Sequence, residues 1–249
     1  MANLLILGGT TEAGSLARAI AEQGIKATYS YAGRVDTPRP QPLPVRVGGF
    51  GGRDGLVRYL RDNSVTHLVD ATHPFAAQIS RNAVAACEEA GVHLSALTRP
   101  RWVAQDGDRW RHVPSIPAAV AALAGPAQRV FLAVGRMHLA EFTEQSQHHY
   151  LVRLVDRPDS IPLARYDMVV ARGPFSVEQD LALLQRHKID LVVSKNAGGT
   201  GARAKLDAAR ALGLPVLMID RPVLPQRREL SGVAQVLEWL AHSGVNLGV

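Results

Sequence analysis

LLILGGTTEAG, from Leu4 to Gly14, decides the fold: an apolar run, a double glycine, then the polar start of a helix. A short apolar run cut off by turn residues is how a buried parallel strand reads. Thr10 or Thr11 can cap the following helix, whose apolar residues Leu16, Ala17 and Ile20 recur at helical spacing. A strand–turn–helix of this kind points backbone N–H groups and the positive end of a helix at one spot, where a phosphate would bind. Gly8-x-Thr10-x-x-Ala13 is a variant of G-x-G-x-x-G, with Thr in the second glycine place and Ala in the third. Ala13 still lets helix pack closely on strand, and Thr10 offers a hydroxyl. The turn alone does not separate a nucleotide site from an ordinary βα turn.

The second apolar segment, Ile25–Tyr31, carries the next clue. In NAD-binding folds an acid at the end of this strand takes the ribose 2′-OH. Here the strand ends Ser30-Tyr31-Ala32-Gly33-Arg34, with no acid before Asp36. A hydroxyl and a guanidinium suit a 2′-phosphate, so NADP is expected over NAD; the bland alternative is an Arg34 that points to solvent.

The 249-residue chain, 47% hydrophobic, can bury one large core or two small ones. Its lone cysteine, Cys87, excludes a disulfide framework and fits a reducing cytoplasm. No leader pattern opens the sequence, and no run nears the ~18 apolar residues of a membrane helix. The expectation is a soluble cytoplasmic protein with no membrane partner.

Net charge +6 could suggest nucleic acid, but there is no basic block, and aromatics are only 5%. Instead cations recur just after apolar strands: Arg34, Arg99, Arg136, Arg172, Lys195 and Arg221. In open parallel sheets the ligand crevice lies at the carboxyl ends of the strands. The pattern therefore points to an anionic small molecule larger than one phosphate, and away from nucleic acid.

Strands alternate with helices throughout, which predicts parallel α/β architecture in two halves. The first half holds strands 4–7, 26–31, 44–47, 67–70 and 93–97, with helices over 11–23, 54–63 and 75–90. The second holds strands 129–134, 150–154, 167–171, 190–194 and 215–219, with helices over 137–145, 176–187, 202–212 and 233–242. Residues 102–117 read as the connector. The expected domains are 1–114, binding the dinucleotide, and 115–249, contributing to the substrate site. AGVHLSALTRP (90–100) echoes LGLPVLMIDRP (212–222), each a glycine, a strand, then Arg-Pro.

Taken together, LLILGGTTEA, YAGR, GGFGG at 48–52, DATHPFA at 70–76, Arg99-Pro100, GPF at 173–175, SKNAGG at 194–199 and DRP at 220–222 resemble the precorrin-6A reductase family of cobalamin biosynthesis. The resemblance runs over nearly the whole chain. It includes a close relative acting on a cobalt-containing ring, which the motifs do not separate. It implies two Rossmann-like domains with a cleft between them, NADPH on the first, and a polycarboxylated corrin-ring precursor as substrate. Hydride would go to C19 and a proton to C18 of precorrin-6A, giving precorrin-6B. Adjacent enzymes of the same pathway are the protein partners it suggests. The strand-end cations fit such a substrate independently, because its acetate and propionate arms make it a polyanion that guanidinium groups clamp well.

On this reading Gly8, Gly9, Thr10 and Thr11 cradle the cofactor phosphates, and Ser30 and Arg34 take the 2′-phosphate. Gly49 and Gly51 let backbone approach a ligand, or form a hinge. Thr72 and His73 meet the nicotinamide end or the substrate. His73 is a candidate donor of the C18 proton, against a role holding the turn before Pro74 and against bulk water as donor. Lys195 is a candidate for a carboxylate, the cofactor or the proton. Arg99, Arg136, Arg172, Asn196, Gly198 and Arg221 are candidate substrate contacts. Met137 and Trp239 are expected in the core. His148 and His149, neighbours on a strand, point to opposite faces, so no metal site is expected. Two rival classes remain: another NADP-dependent reductase or epimerase, disfavoured by the lack of a Tyr-x-x-x-Lys pair, and a non-catalytic dinucleotide sensor or nucleic-acid binder.

Overall fold

The computed structural model describes residues 2–33 and 39–243. The chain forms two compact units, Met1–Arg99 with Val223–Val249, and Pro100–Pro222.

In the first unit, β1 (Leu4–Leu7), β2 (Ala27–Tyr31), β3 (Val45–Val47), β4 (His67–Asp70) and β5 (His93–Leu97) pair in parallel, in the order β5-β4-β1-β2-β3. β1 is buried along its whole length, as its uninterrupted apolar run requires. Alternate residues feed opposite faces. Leu4 and Ile6 pack with Leu16 and Ile20 of α1 (Thr11–Glu22), while Leu5 and Leu7 pack with Leu56 and Leu60 of α2 (Gly52–Asp62) and Ala83 of α3 (Ala77–Ala90). The chain runs from β1 to β3 one way and returns through α2 to β4 on the other side of β1. The β1/β4 boundary is thus the topological switch point, where an α/β sheet opens its ligand crevice.

The second unit repeats this order. β7 (Arg129–Ala133), β8 (His149–Leu154), β9 (Tyr166–Val170), β10 (Leu191–Lys195) and β11 (Pro215–Ile219) lie in the order β11-β10-β7-β8-β9, all parallel. α5 (Val177–Arg186), opened by a Ser176/Gln179 capping box, packs with α6 (Ala204–Ala211).

Each sheet is completed by a strand that does not follow its fifth strand in the chain. β6 (Arg109–Val113), which follows β5 in the chain, pairs with β11; β12 (Glu229–Leu230), which follows β11, pairs with β5. The helices after them go with them. α4 (Ile116–Ala122), capped by Ser115, packs on β6 and β11, while α7 (Val233–His242) places Val236, Trp239 and Leu240 in the core beneath α1. Both units therefore have the doubly wound 3-2-1-4-5-6 order in space, with the sixth strand reached out of chain order.

These connections alter four expectations. Residues 102–117 are not a plain connector, because β6 and the start of α4 lie there. The division falls at 99/100 rather than 114/115, and 223–249 returns to the first unit, because β12 and α7 bury their apolar residues there. The expected helix over 137–145 is a 3₁₀ segment, Arg136–Gln145. Met137 within it is 66% exposed rather than in the core, whereas Trp239 is buried as expected.

Candidate functional site

The turn after β1 is built by Tyr29 of β2. Its ring fills the space beside Gly8 so closely that a Cβ there would lie 2.1 Å from it. Its hydroxyl accepts the Gly9 N–H at 2.9 Å, which holds Gly9 at φ +113. Burial pushes the Tyr29 hydroxyl up to about 12, so it stays protonated. A Cβ at Gly9 would meet nothing within 4 Å, so the space in front of the turn is open. Thr10 caps α1 by accepting from the Ala13 N–H at 3.1 Å, and its own proton goes to the Ala71 carbonyl at 2.7 Å. The Thr10 side chain thus ties β1 to β4 and has no proton left for a phosphate. Backbone N–H groups at the start of α1, including that of Thr11, remain the donors an anion would meet.

At the carboxyl end of β2, Ser30 is only 4% exposed and lies beneath Arg46, its register partner on β3. Arg46 donates to Ser30 Oγ at 3.1 Å and to the carbonyls of Gly48 and Gly49 at 2.7 and 2.8 Å. Its guanidinium lies over the Phe50 ring at 3.7 Å. Gly51, at φ +79, starts α2 without a side-chain cap, and Gly55 leaves room for the Phe50 carbonyl. Arg34 lies outside the described residues. Arg46 was not singled out from sequence, because it sits one residue before the strand end rather than after it.

DATHPFA forms a turn around a buried carboxylate. Asp70 accepts from the Thr72 N–H and hydroxyl at 3.1 and 2.6 Å, and from Ser80 at 2.6 Å. Arg227, itself 7% exposed, completes it at 2.5 Å. Thr72 therefore uses its hydroxyl proton on Asp70. His73 Nδ1 accepts the Phe75 N–H at 3.2 Å, which is the turn-holding bond weighed above and leaves Nε2 as the ring's donor. Thr10, Thr72, Pro74, Thr98 and the Glu12–Arg99 pair line a crevice at the β1/β4 switch point. Arg99 Nη1 lies 3.1 and 3.0 Å from the two Glu12 oxygens.

In the second unit the SKNAGG turn is held internally. Asn196 accepts from the Trp102 N–H at 2.8 Å and donates to its carbonyl at 3.0 Å, so both ends of its amide pin the 100–108 segment. Arg221 donates to the carbonyls of Asn196, Ala197 and Pro100. Gly198 and Gly199 adopt positive φ, and the Gly199 carbonyl accepts from the Trp102 indole at 2.7 Å. Lys195 ends β10, half-buried. Arg136 is exposed at the start of the 3₁₀ segment. Arg172 lies 3.7 Å from Asp156 and lines a pocket of about 310 Å³ with Phe175 and Pro174. The floor of that pocket is an ion pair that sequence reading missed: Arg153 on β8, 10% exposed, with Asp180 on α5, 1% exposed. Arg153 also lies over the Phe175 ring at 3.6 Å. An arginine inside the apolar run of β8 was the available signal.

His148 is buried just before β8, with Nδ1 accepting the Gln128 N–H, and His149 approaches Asp167 at 3.1 Å. Among the described residues no cluster of three or more His, Cys, Asp or Glu could hold a metal ion, and no helix is long and apolar enough to cross a membrane.

Comparison with known proteins places the chain in a family. A family model described as "Precorrin-6x reductase CbiJ/CobK" matches residues 3–241. The chain is 57% identical over 245 residues to a precorrin-6A reductase from Rhodobacter capsulatus, covering 98% of both. It is 46% identical to one from a Sinorhizobium species, over 96% of this chain and 92% of the relative. A cobalt-precorrin-6A reductase from Priestia megaterium is 28% identical over 98% of each. Among solved structures, "CobK precorrin-6A reductase" superposes with a TM-score of 0.94 at 56% identity, over 98% of both chains.

Proposed function

The chain belongs to the precorrin-6x reductase family and is an oxidoreductase acting on a CH–CH group of precorrin-6A in cobalamin biosynthesis; we propose that its reductant is NADPH, bound by the first unit. The observation that carries this is the contrast between the two first-strand turns. In the first unit Gly8-Gly9 opens a twelve-residue α-helix at the switch point. In the second, Gly135 leads into a 3₁₀ segment, whose poorer hydrogen-bond geometry makes a weaker dipole.

The open space before Gly9 and the N–H groups starting α1 fit a pyrophosphate. Gly8, Gly9, Thr10 and Thr11 are its proposed contacts, the threonines through backbone. Gly49 and Gly51 would border the adenosine end, with Ser30 at the 2′-phosphate; Arg34, the other candidate read from sequence for that phosphate, lies outside the described residues. When bound, the reduced nicotinamide supplies hydride for C19. The chain's own part is orientation. Asp70 fixes Thr72 and the turn, and His73, its Nδ1 accepting from the Phe75 N–H, is the proposed donor of the C18 proton. Lys195 is the second candidate for that proton or for a carboxylate. Arg136, Arg172 and Gly198 at the second sheet's carboxyl end are proposed to meet the acetate and propionate arms. Arg99, Asn196 and Arg221 contribute mainly by holding the turns, through the partners named above. The lone Cys87, buried and with its thiol pushed up to about 12, suits a reducing cytoplasm, where adjacent pathway enzymes would receive the product.

The test is cofactor choice. Purified protein should oxidise NADPH with precorrin-6A far faster than NADH, and His73→Gln should lower kcat while leaving the NADPH Kd unchanged. Equal rates with both cofactors would remove the NADPH assignment; an unchanged kcat would leave the proton to Lys195 or water.

A further inference from the structure

We propose that Arg46, on the third strand of the first unit, is the cation that recognises the 2′-phosphate of the dinucleotide and sets its preference for NADPH; this rests on the NADPH reading above. Position comes first. In a doubly wound sheet the residue at the end of the second strand faces the ribose 2′ position. Ser30, the last residue but one of β2, lies at that end, but it is buried, and the group lying on it is the Arg46 guanidinium, 3.1 Å from its hydroxyl oxygen.

Charge is the second argument. Arg99 faces Glu12, Arg153 faces Asp180 and Arg227 faces Asp70. Among the described residues Arg46 has no carboxylate partner; its bonds go to Ser30 and the neutral carbonyls of Gly48 and Gly49. Those bonds and the Phe50 ring fix the group in place, and no carboxylate among the described residues offsets its charge. A guanidinium has five N–H donors, and Arg46 makes three hydrogen bonds to the described residues, so donors remain for a phosphate. A preformed, uncompensated guanidinium is the arrangement that binds a phosphate dianion with little reordering. The glycines explain the loop: Gly48 at φ +121 and Gly51 at φ +79 curl the backbone so that its carbonyls reach Arg46.

The test uses the full chain and measures binding by calorimetry with 2′,5′-ADP and with ADP, which lacks the 2′-phosphate. Arg46→Met should weaken 2′,5′-ADP by roughly 10- to 100-fold and leave ADP nearly unchanged. Arg46→Gln keeps donors for the glycine carbonyls while removing the charge, and should show the same selective loss. Equal weakening of both ligands would mean that Arg46 only shapes the loop, and no weakening of either would also overturn the proposal. Wild-type protein that binds both ligands equally would instead overturn the NADPH reading, and this inference with it.

Discussion

Single residues decide whether the first turn is a site or only a turn. Gly8 is required by Tyr29, whose ring leaves no space for a Cβ, and Tyr29 in turn holds the Gly9 N–H. Gly8→Ala should cost about 1–3 kcal/mol in urea unfolding as the overpacked ring shifts, and should weaken nucleotide binding together with stability. Stability lost without any loss of binding would separate the turn from the site. His67 gives a pH signature at the same scale. Burial, and then neighbouring His93, hold it below the usual histidine range, while its ring stacks on His93 and meets Trp239 edge-on. A histidine depressed in the fold binds its proton more readily when unfolded. Its contribution to stability is therefore present above the unfolded value of about 6.5 and is lost as pH falls below it. The melting temperature should fall from about pH 7.5 to 5.5, and less steeply in His67→Gln; identical slopes would place the titration elsewhere. The glycines, Thr10 and the DATHPFA turn were legible in the sequence because local spacing encodes them. The partners were not. Glu12 lies far along the chain from Arg99, Asp70 from Arg227 and Asn196 from Trp102, and no local spacing encodes such pairings.

At the level of elements, every expected strand is present, because each is a short apolar run between turn signals. The misses have physical causes. β6 reads Arg-Trp-Arg-His-Val at a sheet edge and is largely exposed, so no apolar run marks it. β12 has two residues, too few for any periodicity. The 3₁₀ segment carries helical spacing but begins at Gly135 with no side-chain cap. The segment leading into β12 matters more than its length suggests, because Arg227 meets the buried Asp70 there. Arg227→Met would leave that carboxylate unneutralised, and should destabilise the protein by about 3–5 kcal/mol in urea unfolding. A loss below about 0.5 kcal/mol would mean that Thr72 and Ser80 suffice for Asp70.

Across the whole molecule, the two units share one strand order, and in each the chain leaves the fifth strand for the sixth strand of the other sheet. The Arg-Pro echo at 99–100 and 221–222 marks the two crossing points, although the repeat by itself did not reveal them. A consequence is that the C-terminal segment, remote in sequence from the glycine turn, is part of the fold that presents it. A chain ending at Pro222 would uncover Leu16 and Ile20 of α1, which pack with Val236 and Leu240. It should lose nucleotide binding and aggregate, although 223–249 holds no proposed cofactor contact; retained binding would show that β12 and α7 are dispensable. The central claim is that this fold delivers hydride from NADPH to precorrin-6A. The most direct measurement combines the purified full chain with both compounds, following nicotinamide absorbance and product mass together. We expect NADPH to be consumed one-for-one with a product heavier by two hydrogens, and NADH to react far more slowly. Precorrin-6A returned unchanged from a mixture with folded, NADPH-binding protein would contradict it.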